Sequence, residues 1–345
     1  MKKIITLSIQ LSTIAVIIVG LYRNVDEYEI SIPGILYSVN KLSSDISVFD
    51  LEQGKMIKTI DIKIEPHEIT ALRNPNVVIT TNYGNQNSPG HHVTIINGET
   101  HKIDSTVSLG EVLKPHGIVM VPNTRNVAIV TDLNSEVLVL NTTSKKIEKQ
   151  FSTTQRTSHL LAFHPVRELI FTSNMESNTV SVINSNNGDI LKIITCQKNT
   201  EGIDISPDGK ELWVTNALDN TIQIIDTDKF KIRHTIPSGK RPLRIKFTND
   251  GKFCFVTNTA DGTVSIFDTE NRNEVSTIRL PGNNNFIDKI LNHTPRPVGI
   301  TMHPNGKYAF ISNSNANKIE VIDIKKKIIV SRIKVGDIPD GIVVL

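Results

Sequence analysis

The stretch that decides the fold reads LWVTNALDNTIQIIDTDKFKIRHTI and covers residues 212–236. It contains three runs rich in β-branched and aromatic residues, separated by short segments rich in Asn and Asp. Such runs are typical of β-strands, and Asx-rich segments between them are typical of tight turns. A further short run, EGIDI, precedes them at residues 201–205. The stretch therefore predicts a unit of four antiparallel strands.

This unit recurs along the chain about every 42 residues, and its most regular feature is an Asx turn residue after the second strand. The turn residues are Asn40, Asn82, Asp132, Asn174, Asn216, Asn258 and Asn313. We interpret them as structural, because Asx side chains cap their own turns. Seven units of four strands predict an all-β fold, namely a seven-bladed β-propeller with four-stranded antiparallel blades.

The two ends of the chain supply complementary parts of one unit. Residues 339–342 read PDGI and resemble the start of the preceding unit, PVGI at residues 297–300. The continuation stands at residues 36–40. We therefore expect the C-terminal strand to complete the N-terminal blade as its innermost strand and so to close the ring. A closed ring needs no partner to cover its edges, which predicts a monomer.

The first residues have the pattern of an export segment. Lys2 and Lys3 precede a mostly apolar run at residues 4–20. We predict a signal peptide or an uncleaved membrane anchor at residues 1–22, a linker at 23–32 and the propeller at 33–345. The expected location is extracytoplasmic: periplasmic, secreted, or tethered to the outer side of a membrane. The alternative is a buried N-terminal strand or helix.

The charge distribution excludes one class of partner. The 38 Lys and Arg residues are scattered among 35 acidic residues, and the formal net charge is +3. No basic stripe is present that could follow a phosphate backbone, so nucleic acid is not an expected partner.

Several repeat segments resemble those of a known family. SPDGK at residues 206–210, WVTN at 213–216 and TVSIFD at 263–268 are similar to the YVTN-repeat propellers of archaea and bacteria. The resemblance covers about residues 33–345. It implies the fold and an extracytoplasmic location, because such propellers serve as surface-layer, binding and occasionally enzymatic modules. It supplies no reaction.

Candidate functional residues stand where the repeats differ. The position at the start of each innermost strand reads, around the ring, Asp340, His67, His116, His159, Glu201, Leu243 and Val298. Imidazole and carboxylate groups from different blades are suitable ligands for zinc, copper, iron or manganese. We therefore predict His67, His116, His159 and Asp340 as possible ligands of a divalent metal. His67, His116, His159 and Glu201 are the catalytic candidates, with Glu68 as a further acid.

Blades 6 and 7 contribute cationic residues to the same face. Arg241, Arg244 and Arg296, together with His92, are the predicted substrate-binding residues, and His293 lies in a long insertion there. The expected function is an exported propeller that binds an anionic small molecule or glycan, with lyase or hydrolase activity if it is an enzyme. The alternative is a non-catalytic module that recognises an envelope protein or glycan. Converging imidazole rings favour a site with chemistry, and outward-pointing rings favour the module.

Overall fold

The structure is a computed structural model that describes residues 27–73, 76–111, 113–282 and 295–345. These residues form 28 β-strands and one 3₁₀ turn at Ser314–Ala316. The strands are arranged in seven antiparallel four-stranded sheets, so the prediction of an all-β, seven-bladed propeller is confirmed.

The strands of each blade are given from the innermost to the outermost. Blade 1 contains β28 (Pro339–Val344), β1 (Ile35–Asn40), β2 (Asp45–Asp50) and β3 (Lys55–Asp61). Blade 2 contains β4 (Pro66–Arg73), β5 (Asn76–Gly84), β6 (Pro89–Asn97) and β7 (Lys102–Ser108). Blade 3 contains β8 (Pro115–Met120), β9 (Asn126–Thr131), β10 (Glu136–Asn141) and β11 (Lys146–Ser152). Blade 4 contains β12 (Ser158–Phe163), β13 (Leu169–Asn174), β14 (Thr179–Asn184) and β15 (Ile190–Thr195).

The remaining blades repeat this order. Blade 5 contains β16 (Thr200–Ile205), β17 (Glu211–Asn216), β18 (Thr221–Asp226) and β19 (Lys231–Pro237). Blade 6 contains β20 (Pro242–Phe247), β21 (Phe253–Asn258), β22 (Thr263–Asp268) and β23 (Asn273–Arg279). Blade 7 contains β24 (Pro297–Met302), β25 (Tyr308–Asn313), β26 (Lys318–Asp323) and β27 (Ile328–Lys334). The seven innermost strands contact one another in a closed cycle around the axis.

The C-terminal strand closes the ring, as predicted. β28 pairs with β1 in antiparallel register, with Leu36 opposite Val344 and Ser38 opposite Ile342. The pairing continues past the strand ends, where the backbone NH of Leu345 donates to the carbonyl of Ile35. Blade 1 is therefore assembled from both ends of the chain, and its sheet leaves no free inner edge.

The core consists of apolar layers between neighbouring blades. Trp213 in blade 5 packs edge-on against Phe247 and Phe267 in blade 6, with ring centroids 5.4 and 6.3 Å apart. A comparable cluster joins blades 7 and 1 and includes Phe310 and Leu36. Because both faces of a blade pack against neighbouring blades, middle strands such as β9 and β13 are buried almost throughout. Outermost strands such as β11 alternate between exposed and partly buried residues.

The segment predicted as a linker is partly ordered against the propeller. The hydroxyl of Tyr28 donates to the carbonyl of Leu51, the Tyr28 ring packs on Phe49, and Ile32 is buried. The predicted signal peptide or anchor falls on residues 1–22, which lie outside the described residues. In the described ranges, no helix is long and apolar enough to cross a membrane.

Glycines in the innermost strands allow neighbouring blades to approach closely. A Cβ added at Gly117 would lie 2.8 Å from the carbonyl oxygen of His159, and one at Gly299 would overlap the carbonyl of Asp340. Each glycine thus meets the backbone of the next blade. This is why the position is glycine in four of the seven blades.

This packing predicts the effect of one added methyl group. Gly299→Ala should lower the free energy of unfolding by about 1–3 kcal/mol, because the overlap is with backbone that cannot move away. Gly282→Ala is the matched control, since a Cβ there meets nothing within 4 Å. The two variants are compared by urea denaturation. Equal stabilities would contradict the close blade-to-blade contact.

Candidate functional site

Three imidazole rings meet where the innermost strands begin, on the face that we call the mouth. His67, His116 and His159 each occupy the second residue of an innermost strand, in blades 2, 3 and 4. The ring centroids of His67 and His116 are 4.4 Å apart. Those of His116 and His159 are 3.5 Å apart with an interplanar angle of 29°, which is a stacked arrangement. The three rings therefore form one continuous group.

His159 is held between two carboxylates. Its Nδ1 lies 3.0 and 3.2 Å from the two oxygens of Asp132, and its Nε2 lies 3.8 Å from Oε1 of Glu201. Burial alone would lower the pKa of His159, but the charge of Asp132 and the hydrogen bond to it outweigh burial and raise the pKa. The same interaction lowers the pKa of Asp132, although burial opposes this. Asp132 thus favours the protonated form of His159, which would pair with both carboxylates.

His116 has one nitrogen satisfied and one without a partner. Its Nδ1 lies 3.1 Å from the carbonyl oxygen of His159, which can only accept, so Nδ1 carries the proton. Its Nε2 is buried and has no hydrogen-bond partner among the described residues. Burial, followed by the neighbouring His159 and His67, lowers the pKa of His116 well below its usual value. Nε2 of the neutral ring is therefore a buried acceptor.

His67 and Asp340 form a second close pair. Nδ1 of His67 lies 3.0 Å from Oδ2 of Asp340, without the alignment of a hydrogen bond, and Nζ of Lys41 lies 3.6 Å from the same oxygen. Burial lowers the pKa of His67 to about 4, although Asp340 opposes the shift. Burial would raise the pKa of Asp340, but His67 and Lys41 more than offset it. Oδ1 of Asp340 is buried and has no partner among the described residues.

A tyrosine from blade 2 covers this group. The ring of Tyr83 lies 4.6 Å from that of His67 and 5.5 Å from that of His116. Its hydroxyl donates to Oδ2 of Asp132 at 2.9 Å. Burial, with Asp132 adding to it, raises the pKa of Tyr83. Tyr83 is therefore a neutral donor that links the pair His67–Asp340 to the pair His159–Asp132.

One arginine crosses the axis beneath the histidines. Arg244 of blade 6 contacts Oε1 of Glu68 in blade 2 through Nη2, at 2.7 Å, and through Nε, at 3.2 Å. Its Nη1 lies 3.3 Å from Oε1 of Glu201. Burial raises the pKa of Glu68, and Arg244 partly offsets this. Both Glu68 and Arg244 stand at the strand position that is glycine in four other blades, so their side chains can meet across the axis.

We call these ten side chains the axial cluster: Lys41, His67, Glu68, Tyr83, His116, Asp132, His159, Glu201, Arg244 and Asp340. Its four carboxylates outnumber its two cations, Lys41 and Arg244, even when His159 is counted in the protonated form that Asp132 favours. The cluster is therefore close to neutral or weakly acidic.

The predicted substrate-binding residues do not come together. Arg244 reaches the axis, but Arg241 and Arg296 are exposed on the rim of the mouth. His92 lies in the third strand of blade 2, and its ring packs on that of His91 with centroids 4.0 Å apart. His293 lies outside the described residues. Of the three predicted arginines, Arg244 thus contacts Glu68 and Glu201 near the histidines, whereas Arg241 and Arg296 are exposed.

Three residues of the axial cluster were not predicted: Asp132, Tyr83 and Lys41. The strand register corrects the interpretation of Asp132 as a structural turn residue. In blade 2, Asn82 pairs with Pro66, the first residue of the innermost strand. In blade 3, the residue that pairs with the equivalent Pro115 is Thr131 and not Asp132. Asp132 is thus one residue further on, at the position that Lys41 and Tyr83 occupy in blades 1 and 2. The signal that could have found it is this shared position next to the turn.

The arrangement does not match that of a metal site. Among the described residues, no group of three His, Cys, Asp or Glu side chains is placed to hold a metal ion. His116 and His159 lie face to face, whereas metal ligation requires the ring planes to point at a common centre. Nδ1 of each is already engaged. The predicted divalent metal at His67, His116, His159 and Asp340 gains no support from this geometry.

Comparisons with known proteins agree with the fold. Residues 150–281 match the family described as YNCE-like beta-propeller. No curated protein is similar in sequence. A protein of unknown function from Desulfotomaculum acetoxidans is 16% identical, with a TM-score of 0.75 over 90% of this chain and 98% of that chain. Hydrazine synthase from Kuenenia stuttgartiensis is 13% identical, with a TM-score of 0.69 over 88% of this chain and 99% of that chain. At these identities the likeness concerns the fold alone.

Proposed function

Because the chain is a seven-bladed β-propeller with YVTN-type repeats, we propose that it is a binding propeller whose mouth takes a small ligand with a hydrogen-bond donor. The observation that carries the proposal is a pair of buried acceptors without partners, Nε2 of His116 and Oδ1 of Asp340. A buried polar atom without a partner costs about 1–3 kcal/mol. A ligand that donates to these atoms recovers that free energy.

The charges of the axial cluster favour a cationic donor. An anion at this place would approach the carboxylates of Asp340, Asp132, Glu68 and Glu201. Arg244, the cation expected to attract it, is already paired with two of them. A protonated amine suits the acceptors better, because charge-assisted hydrogen bonds to a carboxylate are the stronger kind. The anionic ligand predicted from the sequence would have to be held by the exposed Arg241 and Arg296.

Binding is better supported than catalysis. Asp132 orients the ring of His159 as in a catalytic dyad, but the other nitrogen of the ring faces the carboxylate of Glu201 at 3.8 Å. A general base needs a substrate proton at that place. The three rings meet, which is the arrangement expected of a site with chemistry, but with Glu201 at this nitrogen we propose binding without catalysis, of a small ligand and not of an envelope protein or glycan. We also propose that the protein acts outside the cytoplasm, on the basis of the apolar run at residues 4–20.

The ligand class is tested with three molecules of similar size and different charge. Ethanolamine, ethylene glycol and glycolate are titrated into the protein at pH 7, and dissociation constants are taken from NMR shifts. Ethanolamine should bind at least tenfold more tightly than the other two. Asp340→Asn should weaken ethanolamine binding about tenfold, as expected for loss of one charged hydrogen bond.

Asp337→Asn is the matched control, because it makes the same chemical change on an exposed residue three positions earlier on the same face. Thermal unfolding of each variant verifies that it is folded. Tightest binding by glycolate would favour the anionic ligand instead. An equal loss in both variants would show that ethanolamine is attracted by the surface and not held by the axial cluster.

A further inference from the structure

A second compartment lies on the axis below the axial cluster. It is a cavity of about 640 Å³ lined by the innermost strands. Glu68 and Arg244 border one end, and none of the three histidines of the mouth is part of its lining. The other end reaches Pro122, Pro165 and Pro207, in the connections between first and second strands. The Arg244–Glu68 pair thus separates this cavity from the mouth.

The wall of the cavity has two chemically different sides. The fifth residue of every innermost strand lines the cavity, and these seven residues occupy the same height along the axis. Around the ring they are Val343, Thr70, Val119, Ala162, Asp204, Lys246 and Thr301. Blades 3 and 4 contribute apolar side chains, and Leu160 adds to this side closer to the mouth. Blades 5 and 6 contribute an acid and a base. The cavity is therefore amphipathic.

On the polar side of the cavity, the ammonium group of Lys246 has hydrogen-bond donors that Asp204 does not occupy. Its Nζ lies 3.0 Å from Oδ1 of Asp204, and its side chain is 44% exposed although it stands in an innermost strand. Asp204 is also held by the backbone NH of Phe247, which donates to Oδ2 at 2.8 Å. An ammonium group has three N–H donors, and Asp204 occupies one of them. The exposed ammonium can thus bind a further acceptor without losing Asp204.

We propose that this cavity is a separate binding site for a small amphipathic carboxylic acid. Its carboxylate would bind Nζ of Lys246, and its apolar body would cover Leu160, Val119 and Ala162. The other charges of the lining do not oppose this, because Asp204 and Glu68 are both paired. The volume lies within the roughly 300–1,000 Å³ of typical small-molecule sites. The inference does not rest on the function proposed for the mouth.

The test uses molecules that separate the two halves of the ligand. Octanoate, 1-octanol and acetate are titrated into the full chain by calorimetry. Octanoate should bind at least tenfold more tightly than octanol, which lacks the charge, and acetate, which lacks the chain, should not bind measurably. Lys246→Gln should weaken octanoate about tenfold and leave octanol within twofold. Lys252→Gln, a lysine with a largely exposed side chain in blade 6, is the matched control and should change nothing.

The apolar side of the cavity is tested by filling it with a larger side chain. Ala162→Phe should abolish octanoate and octanol binding, and Val119→Phe serves the same purpose if the first variant does not fold. Absence of octanoate binding to the parent protein would overturn the proposal and leave a solvent-filled channel. Equal losses with Lys246→Gln and Lys252→Gln would also overturn it, because the carboxylate would then be attracted by surface charge alone.

Discussion

Replacing Arg244 with Met lowers the free energy of unfolding at pH 7.5 by about 3–5 kcal/mol, because Glu68 then remains buried without a counter-charge and Glu201 keeps only the more distant His159. The measurement is urea denaturation at 25 °C. Arg241→Met, on the exposed rim of the same blade, should change stability by no more than about 0.5 kcal/mol.

The loss should depend on pH in a defined direction. Burial already raises the pKa of Glu68 above its unfolded value, and removal of Arg244 raises it further. A carboxyl group whose folded pKa is raised gains stability as the pH falls and the group becomes protonated. The deficit of the Arg244→Met protein should therefore shrink between pH 7.5 and pH 5.

Removing the charges of the two glutamates should restore the stability of the Arg244→Met protein. Adding Glu68→Gln and Glu201→Gln to Arg244→Met should recover most of the stability at pH 7.5, because no buried charge is left unpaired. A deficit below about 1 kcal/mol that does not change with pH would show that the three side chains are more hydrated than their burial indicates.

The second large effect concerns the closure of the ring. Ile342→Asp should lower the free energy of unfolding by about 4 kcal/mol or more, because Ile342 is buried among apolar side chains of blades 7 and 1. Val343→Asp is the neighbouring control on the opposite face of β28, where the residue borders the axial cavity. It should cost only about 1 kcal/mol, since the new charge reaches solvent.

The comparison is made by denaturation of both variants under identical conditions. A reversed order of the two stabilities would indicate that β28 is bound with its register shifted by one residue, because such a shift exchanges the two faces. Equal, small effects would mean that the C-terminal strand is not an integral part of blade 1.

The fold was predictable from the sequence because the four-strand unit recurs and because residues 339–342 repeat a unit start. The same register placed His67, His116 and His159 in neighbouring blades, and the structure brings their rings into contact. A strand position is fixed by the period of the repeat, so the residues that share a position were identifiable. What they contact was not.

Asp132 shows why a repeat can mislead. Blade 2 has an enlarged loop between β5 and β6, and Asp132 has the residue type of the turn series, so the repeat pattern aligns it with Asn82. The pairing of Thr131 with Pro115 shifts it by one residue relative to Asn82. The hydrogen bond of Asp132 with His159 depends on that single step. Residue type was the wrong guide here, because Asp serves both turns and ion pairs.

Arg244 shows that the contacts of a long side chain cannot be predicted from its position in the repeat. The sequence placed it near the rim with Arg241 and Arg296, and it gave no sign of the direction of the guanidinium group. That direction is set by two carboxylates, one from the neighbouring blade and one from across the axis. Such a contact joins residues far apart in the chain and follows from no local pattern.

The central claim is that buried acceptors of the axial cluster bind a donor group, and the most direct measurement follows the ring nitrogens of ¹⁵N-histidine-labelled protein by NMR while ethanolamine is added. We predict a saturable shift of the Nε2 resonance of His116, larger than that of its Nδ1, and no shift of the exposed His234. The claim is contradicted if His116 does not respond, or if His234 shifts as much as His116 does.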